Sequence, residues 1–298
     1  MEDFEYFSEE PDFNITNEDN QNVSEDNIIN AANLILGLLG LIGNSMVIIA
    51  FIKQKKLQSS TNNFIVSLAA ADTMDSIILV VFILIYKTKM FTRNFCYFAM
   101  SLFGTSEVVI SMTLLLLAIL LFYGKASNKF SLTSIFIFWT IASCYGFFKT
   151  ILNATYETAS IYGHEDQFIC FEDYTNVTRF IYLGMRVLYF LLITIAIICF
   201  ACKINTNGKT NKIIPAILAL QIICAFPVLA NDILNMTPFY FLAPHTVILI
   251  LYMMQTIPHV CRPLVYYLFE ENIKKEFKKM IPCCKADSNA NFDLEEKS

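Results

Sequence analysis

Seven long apolar runs constrain this chain more than any other feature. Each is close to the roughly 20 residues a helix needs to cross the hydrocarbon core of a bilayer. They fall at about 28–52, 62–86, 97–123, 131–150, 180–203, 212–235 and 244–268, with Arg186 and Asp232 interrupting the fifth and sixth. The backbone of a span must satisfy its own hydrogen bonds, which helices do without neighbours. Composition agrees: 56% of residues are hydrophobic and 16% charged, against about 45–50% and about 25% in soluble domains. The runs predict an all-α fold, a seven-transmembrane helix bundle over residues 28–268. An acidic extracellular tail (1–27) precedes it. An amphipathic stretch and a cytoplasmic tail (269–298) follow, with Phe269, Ile273 and Phe277 four apart on one helical face.

Charge sets the expected orientation. Residues 1–52 hold ten acids and no Lys or Arg, and the first base is Lys53, followed by Lys55 and Lys56. The excess of bases on inner loops places the amino terminus outside a multi-pass protein of the plasma membrane. The start "MEDFEYFSEE" has no basic region before an apolar core and predicts no cleavable signal peptide. Five N-x-S/T acceptors, Asn14, Asn22, Asn153, Asn176 and Asn235, all map to the outer side. Of nine cysteines only Cys96 and Cys170 map to that oxidising face. A disulfide between them would staple the second outer loop to the third helix, with two free thiols as the alternative. Cys283 and Cys284 follow the basic run "KKEFKKMIP", a setting for S-palmitoylation on the inner side or for unmodified thiols.

Several motifs now coincide. "GN" at Gly43–Asn44, "TNNFIVSLAAAD" ending at Asp72, the lone tryptophan Trp139, "CAFP" ending at Pro227 and "RPLVY" from Arg262 through Pro263 to Tyr266 fall in the first, second, fourth, sixth and seventh runs. This set resembles the rhodopsin-like G-protein-coupled receptors over nearly the whole chain. The second-run signature is its most specific part, and "FEENIKKEFKK" is similar to the family's short amphipathic eighth helix on the inner leaflet. Within that family the chain is similar to chemokine receptors and their virus-encoded homologues, because the third inner loop is very short (Lys203–Asn211) and Tyr6 sits in an acidic tail. The resemblance implies an extracellular basic chemokine-type or peptide ligand, captured partly by that tail. It also implies membrane lipid around the bundle and a heterotrimeric G protein or arrestin on the inner face. Opposite-sign fields raise encounter rates by about 10–10³-fold. A tail serving only solubility and topology is the alternative.

The chain departs from the family where coupling is expected. The family's Asp-Arg-Tyr triplet falls on Leu120, Leu121 and Phe122, and the first charge beyond is Lys125. Lysine does not reproduce a planar guanidinium fork. Ala225 replaces the family's sixth-helix tryptophan, and Arg262 replaces its seventh-helix asparagine. The tail and third outer loop also lack the cysteines that chemokine receptors usually join.

Arg262 raises its own question. A charge within a span costs roughly 2.5–3.5 kcal/mol on insertion scales and normally faces a partner inside the bundle. The family correspondence puts Asp72 opposite Arg262, which predicts a buried ion pair. Asp75, one turn along the same face, is placed to share it. Snorkelling of Arg262 to the inner interface is the competing reading. In the outer half, Glu107 and Arg186 either pair with each other or present charge to a ligand, with Asp232 and Tyr252 on the rim of the same cavity. His259 reads as a packed, hydrogen-bonded residue.

No nucleophile–base set, phosphate loop or H-E-x-x-H motif is present, so an enzyme is not expected. Neither a metal, a cofactor nor a nucleic-acid partner is implied. The expectation is therefore a receptor with atypical or impaired coupling and, from its compact length and degenerate motifs, a viral origin. A non-signalling decoy that sequesters chemokine, or a constitutively active orphan receptor, stands beside it.

Overall fold

The computed structural model describes residues 17–54, 59–85, 92–123, 127–156, 159–162, 169–172, 213–234 and 245–280, parts of 183–198, and the single residues 57 and 88. Side chains at 17–26, 93, 121–123, 149, 152–162, 169–172, 232, 245, 246, 248, 249 and 252 are outside this description. The helices are α1 (Asn17–Lys53), α2 (Ser60–Ile85), α3 (Arg93–Tyr123), α4 (Asn128–Tyr156), α5 (Arg186–Ile195), α6 (Ile213–Leu234), α7 (His245–Phe269) and α8 (Glu271–Met280). Among the described residues one antiparallel hairpin, β1 (Ala159–Tyr162) and β2 (Ile169–Glu172), interrupts an otherwise helical structure, with Ile161 opposite Cys170.

Local chemistry sets several of these boundaries. Ser59, Thr92 and Ser127 each stand just before a helix, and their hydroxyls accept from the backbone N–H of Asn62, Phe95 and Phe130 at 3.2–3.3 Å. Each satisfies a donor that the first helical turn leaves without a carbonyl. α1 begins at Asn17, earlier than the apolar run, so residues 17–27 of the expected tail form its polar first turns. No proline lies between Pro11 and the first apolar run to stop a helix propagated upstream from it.

Among the described residues five helices contain spans long and apolar enough to cross a membrane: Asn27–Lys53, Ser60–Ile85, Asn94–Leu120, Asn128–Phe148 and Ile213–Asn231. Their outward faces are apolar. Ile35, Leu39, Phe136, Phe147 and Ile223 are each more than half exposed, a surface that would associate in water and suits lipid. The chain is therefore a helical membrane-embedded protein. α7 covers the seventh apolar run, with Pro258 and Pro263 inside it. The fifth run is described only in pieces around α5.

Helix α1 packs on α2 and α7, α2 also on α3 and α4, α3 on α4 and α6, and α6 on α7. Small residues allow the closest approaches. A Cβ on Gly40 would lie 2.6 Å from Ser76 Oγ, and one on Gly37 would lie 2.9 Å from Val80 Cγ2. At the α3–α4 crossing a Cβ on Gly146 would strike Thr105 Oγ1 and come within 2.9 Å of the Ser101 carbonyl. One core cluster includes Phe64, Leu68, Leu114, Leu117, Ile217 and Tyr266. Among the described residues three bonds between side chains cross to α4: Asn63 Nδ2 donates to Ser131 Oγ at 2.8 Å, Trp139 Nε1 donates to Ser67 Oγ at 3.1 Å, and the Ser101 and Thr150 hydroxyls share a hydrogen bond. α8 lays Ile273 and Phe277 into the core and stacks Phe277 on Tyr267 at 5.9 Å. Phe269, expected on the same face of that helix, closes α7 instead and is half exposed.

Candidate functional site

A polar cluster lies inside the bundle, where apolar helices bring their few hydrophilic residues together. Asp72 and Arg262 are both fully buried, and Arg262 Nη1 donates to Asp72 Oδ1. The other terminal nitrogen, Nη2, donates to Gln221 Oε1 of α6 at 2.6 Å. One guanidinium therefore ties α7 to α2 and to α6, a use that its planar fork allows and a lysine would not. His259, three residues before Arg262, places Nδ1 2.7 Å from the same Asp72 oxygen.

Asp75 takes different partners from those the sequence suggests. Ser106 Oγ of α3 donates to its Oδ1, and His259 Nδ1 stands 3.6 Å from its Oδ2. The reason is the seventh-run register: the residue one turn toward the start of α7 is His259, which occupies the level facing Asp75. Asn44, fully buried on α1, donates from Nδ2 to the carbonyls of Gly40 at 2.9 Å and His259 at 2.8 Å. Five helices thus contribute to one cluster of two carboxylates, a guanidinium, an imidazole and neutral amides and hydroxyls. Such a cluster is stable in an apolar setting only when its members satisfy one another.

The remaining motif residues take defined places. Trp139 bonds to Ser67 from α4, Pro227 lies inside α6, Pro263 packs on Gly43, and Tyr266 is fully buried. Leu120 packs partly buried against the core, while Leu121 and Phe122 continue α3 with side chains outside the described set.

Higher in the bundle Arg186 Nη2 donates to Glu107 Oε1 at 3.1 Å, with the side chains 21% and 43% exposed. The two are paired, and both remain accessible. Asp232 and Tyr252 lie on the backbones of α6 and α7, with their side chains outside the described residues. Cys96 is fully buried and disulfide-bonded. The hairpin strand with Cys170 pairs with β1, which packs on α3, the helix of Cys96. Asn22 and Asn153 are helical and lie beyond the apolar spans of α1 and α4. Tyr6, Asn14, Asn176, Asn235, Cys283 and Cys284 fall outside the described residues. Among the described residues no group of three or more His, Cys, Asp and Glu side chains is arranged to hold a metal.

Sequence reasoning missed Ser106 and Gln221 and gave His259 no partner. Each is a polar residue within an apolar helix, and that was the available signal. Being neutral or weakly basic, they did not demand a partner as a guanidinium does. No protein-family model matches the chain, and no curated protein matches it.

Proposed function

We propose that the chain is a seven-helix receptor of the rhodopsin-like class, similar to chemokine receptors. It binds an extracellular basic chemokine-type or peptide ligand and couples to G proteins in an atypical or impaired way. The observation that carries this reading is the buried cluster. Asp72 of the second-run motif pairs with Arg262 of the seventh, Asn44 of the first donates to the His259 carbonyl one turn away, and Tyr266 is fully buried in the same bundle. Conserving the fold's polar centre while replacing a neutral amide by Arg262 suits a bundle that has kept its architecture and changed its switching.

In this reading the amino terminus is outside the plasma membrane of the cell, a host cell for a virus-encoded chain. Asn14, Asn22, Asn153, Asn176 and Asn235 are then glycosylation acceptors, Cys96–Cys170 staples the outer loop, and Cys283 and Cys284 are palmitoylated beside α8. Tyr6 and its acidic neighbours meet the ligand first. The half-exposed Glu107 offers a carboxylate to a cationic segment, with Asp232 and Tyr252 on the same rim.

A second reading, a non-signalling receptor that sequesters chemokine, is favoured by Leu120-Leu121-Phe122, which offers no charge to a G protein. One experiment separates them: display the chain on cells, apply labelled chemokines, and record basal and ligand-driven G-protein activation. Binding with weak activation is the expected result. Binding without activation selects the sink, activation without ligand the constitutive form, and neither removes the chemokine assignment.

A further inference from the structure

We propose that Cys224 of α6 and Cys261 of α7 form a dithiol site that a peroxide closes into a disulfide, riveting the two helices together within the membrane. Both are free thiols, Cys224 only 4% exposed and Cys261 partly buried. Their relative level follows from the bond between Arg262 and Gln221. α6 and α7 are consecutive helices packed on each other, and the short connection between them makes them antiparallel. Cys224 lies three residues after Gln221 and Cys261 one residue before Arg262, so both are displaced from that bond in the same direction. At a rise of 1.5 Å per residue their levels differ by only about 3 Å.

The helix faces agree with the levels. A Cβ on Gly40 would lie 3.5 Å from Val260 Cγ2, and Pro263 packs on Gly43, so that side of α7 meets α1. His259 and Arg262 reach Asp72 of α2. With 3.6 residues per turn, Cys261 points away from both of those sides, toward α6, with part of its surface open. Cys224, one turn beyond Gln221, shares the face of α6 that meets α7. The two thiols lie within range of each other's charge.

An apolar setting suits the closed form, because a disulfide is neutral and has no donor left to satisfy. Peroxide is small and uncharged and enters such a site, where a charged thiol such as glutathione is excluded. One thiol loses its proton and attacks a peroxide oxygen. The O–O bond breaks, and the departing hydroxide takes up that proton, leaving a sulfenic acid and one water. The second thiol then displaces the sulfenic hydroxyl, which leaves as a second water with the second thiol hydrogen. Both sulfurs are oxidised and both peroxide oxygens reduced.

The test treats the full chain in cell membranes with hydrogen peroxide, blocks the remaining thiols with N-ethylmaleimide and digests without reductant. Chymotrypsin cuts after Phe239, Tyr240 and Phe241, between the two cysteines, so the link joins separate peptides that mass spectrometry identifies. A Cys224–Cys261 peptide pair should appear with peroxide. Cys224→Ala, small and apolar, should abolish it. Cys144, a free and exposed thiol on α4, should stay out of any link to Cys261. Oxidation should also raise the melting temperature of the wild type and leave that of Cys224→Ala unchanged, because a cross-link restricts the unfolded chain. Absence of the Cys224–Cys261 pair after peroxide would overturn the site, and so would equal linkage of Cys261 to Cys144. A pair that forms without raising the melting temperature would overturn the rivet. The wild-type digest carries the first result by itself, so a variant that fails to fold does not hide it. The readout needs no ligand and no G protein, so it stands or falls apart from the receptor assignment.

Discussion

Among the described residues two arginine–carboxylate pairs lie in this bundle, and they differ in nearly everything except their chemistry. Arg262 and Asp72 are sealed from solvent, share their atoms with Gln221 and His259, and join three helices. Arg186 and Glu107 join two helices at a half-open position. Burial decides what each pair is for. A sealed pair holds shape, since either member alone would be an uncompensated charge in an apolar medium. An open pair is weak because water competes for it, and the same weakness leaves its charges available to a third party.

The largest expected effect breaks the sealed pair. Arg262→Ala should destabilise the folded bundle by about 3–5 kcal/mol and remove most surface expression. Asp72→Asn combined with Arg262→Gln should restore part of it, since two neutral amides can bond to each other. If single and double variants reach the surface equally, the pair does not hold the bundle. Next comes Ser106→Ala, which strips a hydroxyl donor from Asp75 and should lower the melting temperature by an amount corresponding to about 1–3 kcal/mol. The open pair gives a smaller change: Glu107→Gln should cost no more than about 1 kcal/mol of stability, while weakening any cationic ligand far more. A melting temperature that falls as far as for Arg262→Ala would erase the distinction between the two pairs.

The smallest effect extends the comparison to the aqueous edge. Glu276 of α8 accepts from Lys279 Nζ at 2.7 Å and from Gln54 Nε2 at 2.5 Å, and these two donors hold its carboxyl below the usual range, against a smaller opposing push from burial. A carboxylate with a depressed folded pKa adds stability above its unfolded pKa and loses it as pH falls through the folded one. Acidification should therefore loosen α8 before the bundle melts, seen as faster amide hydrogen exchange over Glu271–Met280. Glu276→Gln should abolish that pH dependence.

Much of this arrangement was legible in the chain, for physical reasons that also mark where reading stopped. Six of the seven apolar runs coincide with α1–α4, α6 and α7, because a bilayer imposes a length that soluble folds do not. Arg262 announced a partner because an unpaired guanidinium in a span is too costly to leave. Gln221, Ser106 and His259 were silent for the opposite reason. α6 is apolar all round, so periodicity names no inward face on it, and a single glutamine does not say which neighbour it meets. The hairpin over β1 and β2 was equally hidden, since four-residue strands in a loop leave no period to detect. The polar first turns of α1 were read as tail because helix propagation from an adjoining span carries no compositional mark.

Helix α4 has its widest faces turned to the exterior, with Phe136 and Phe147 both about 70% exposed. Its three rungs, at Ser131, Trp139 and Thr150, span most of its length. A slide of one helical turn, about 5.4 Å, would unmake all three at once and drive the α3 backbone into side chains that Gly146 alone avoids. Axial position is therefore quantised for this rod. During assembly it can dock at one height or not at all, and errors in threading should appear as failure to join the bundle rather than as a shifted neighbour.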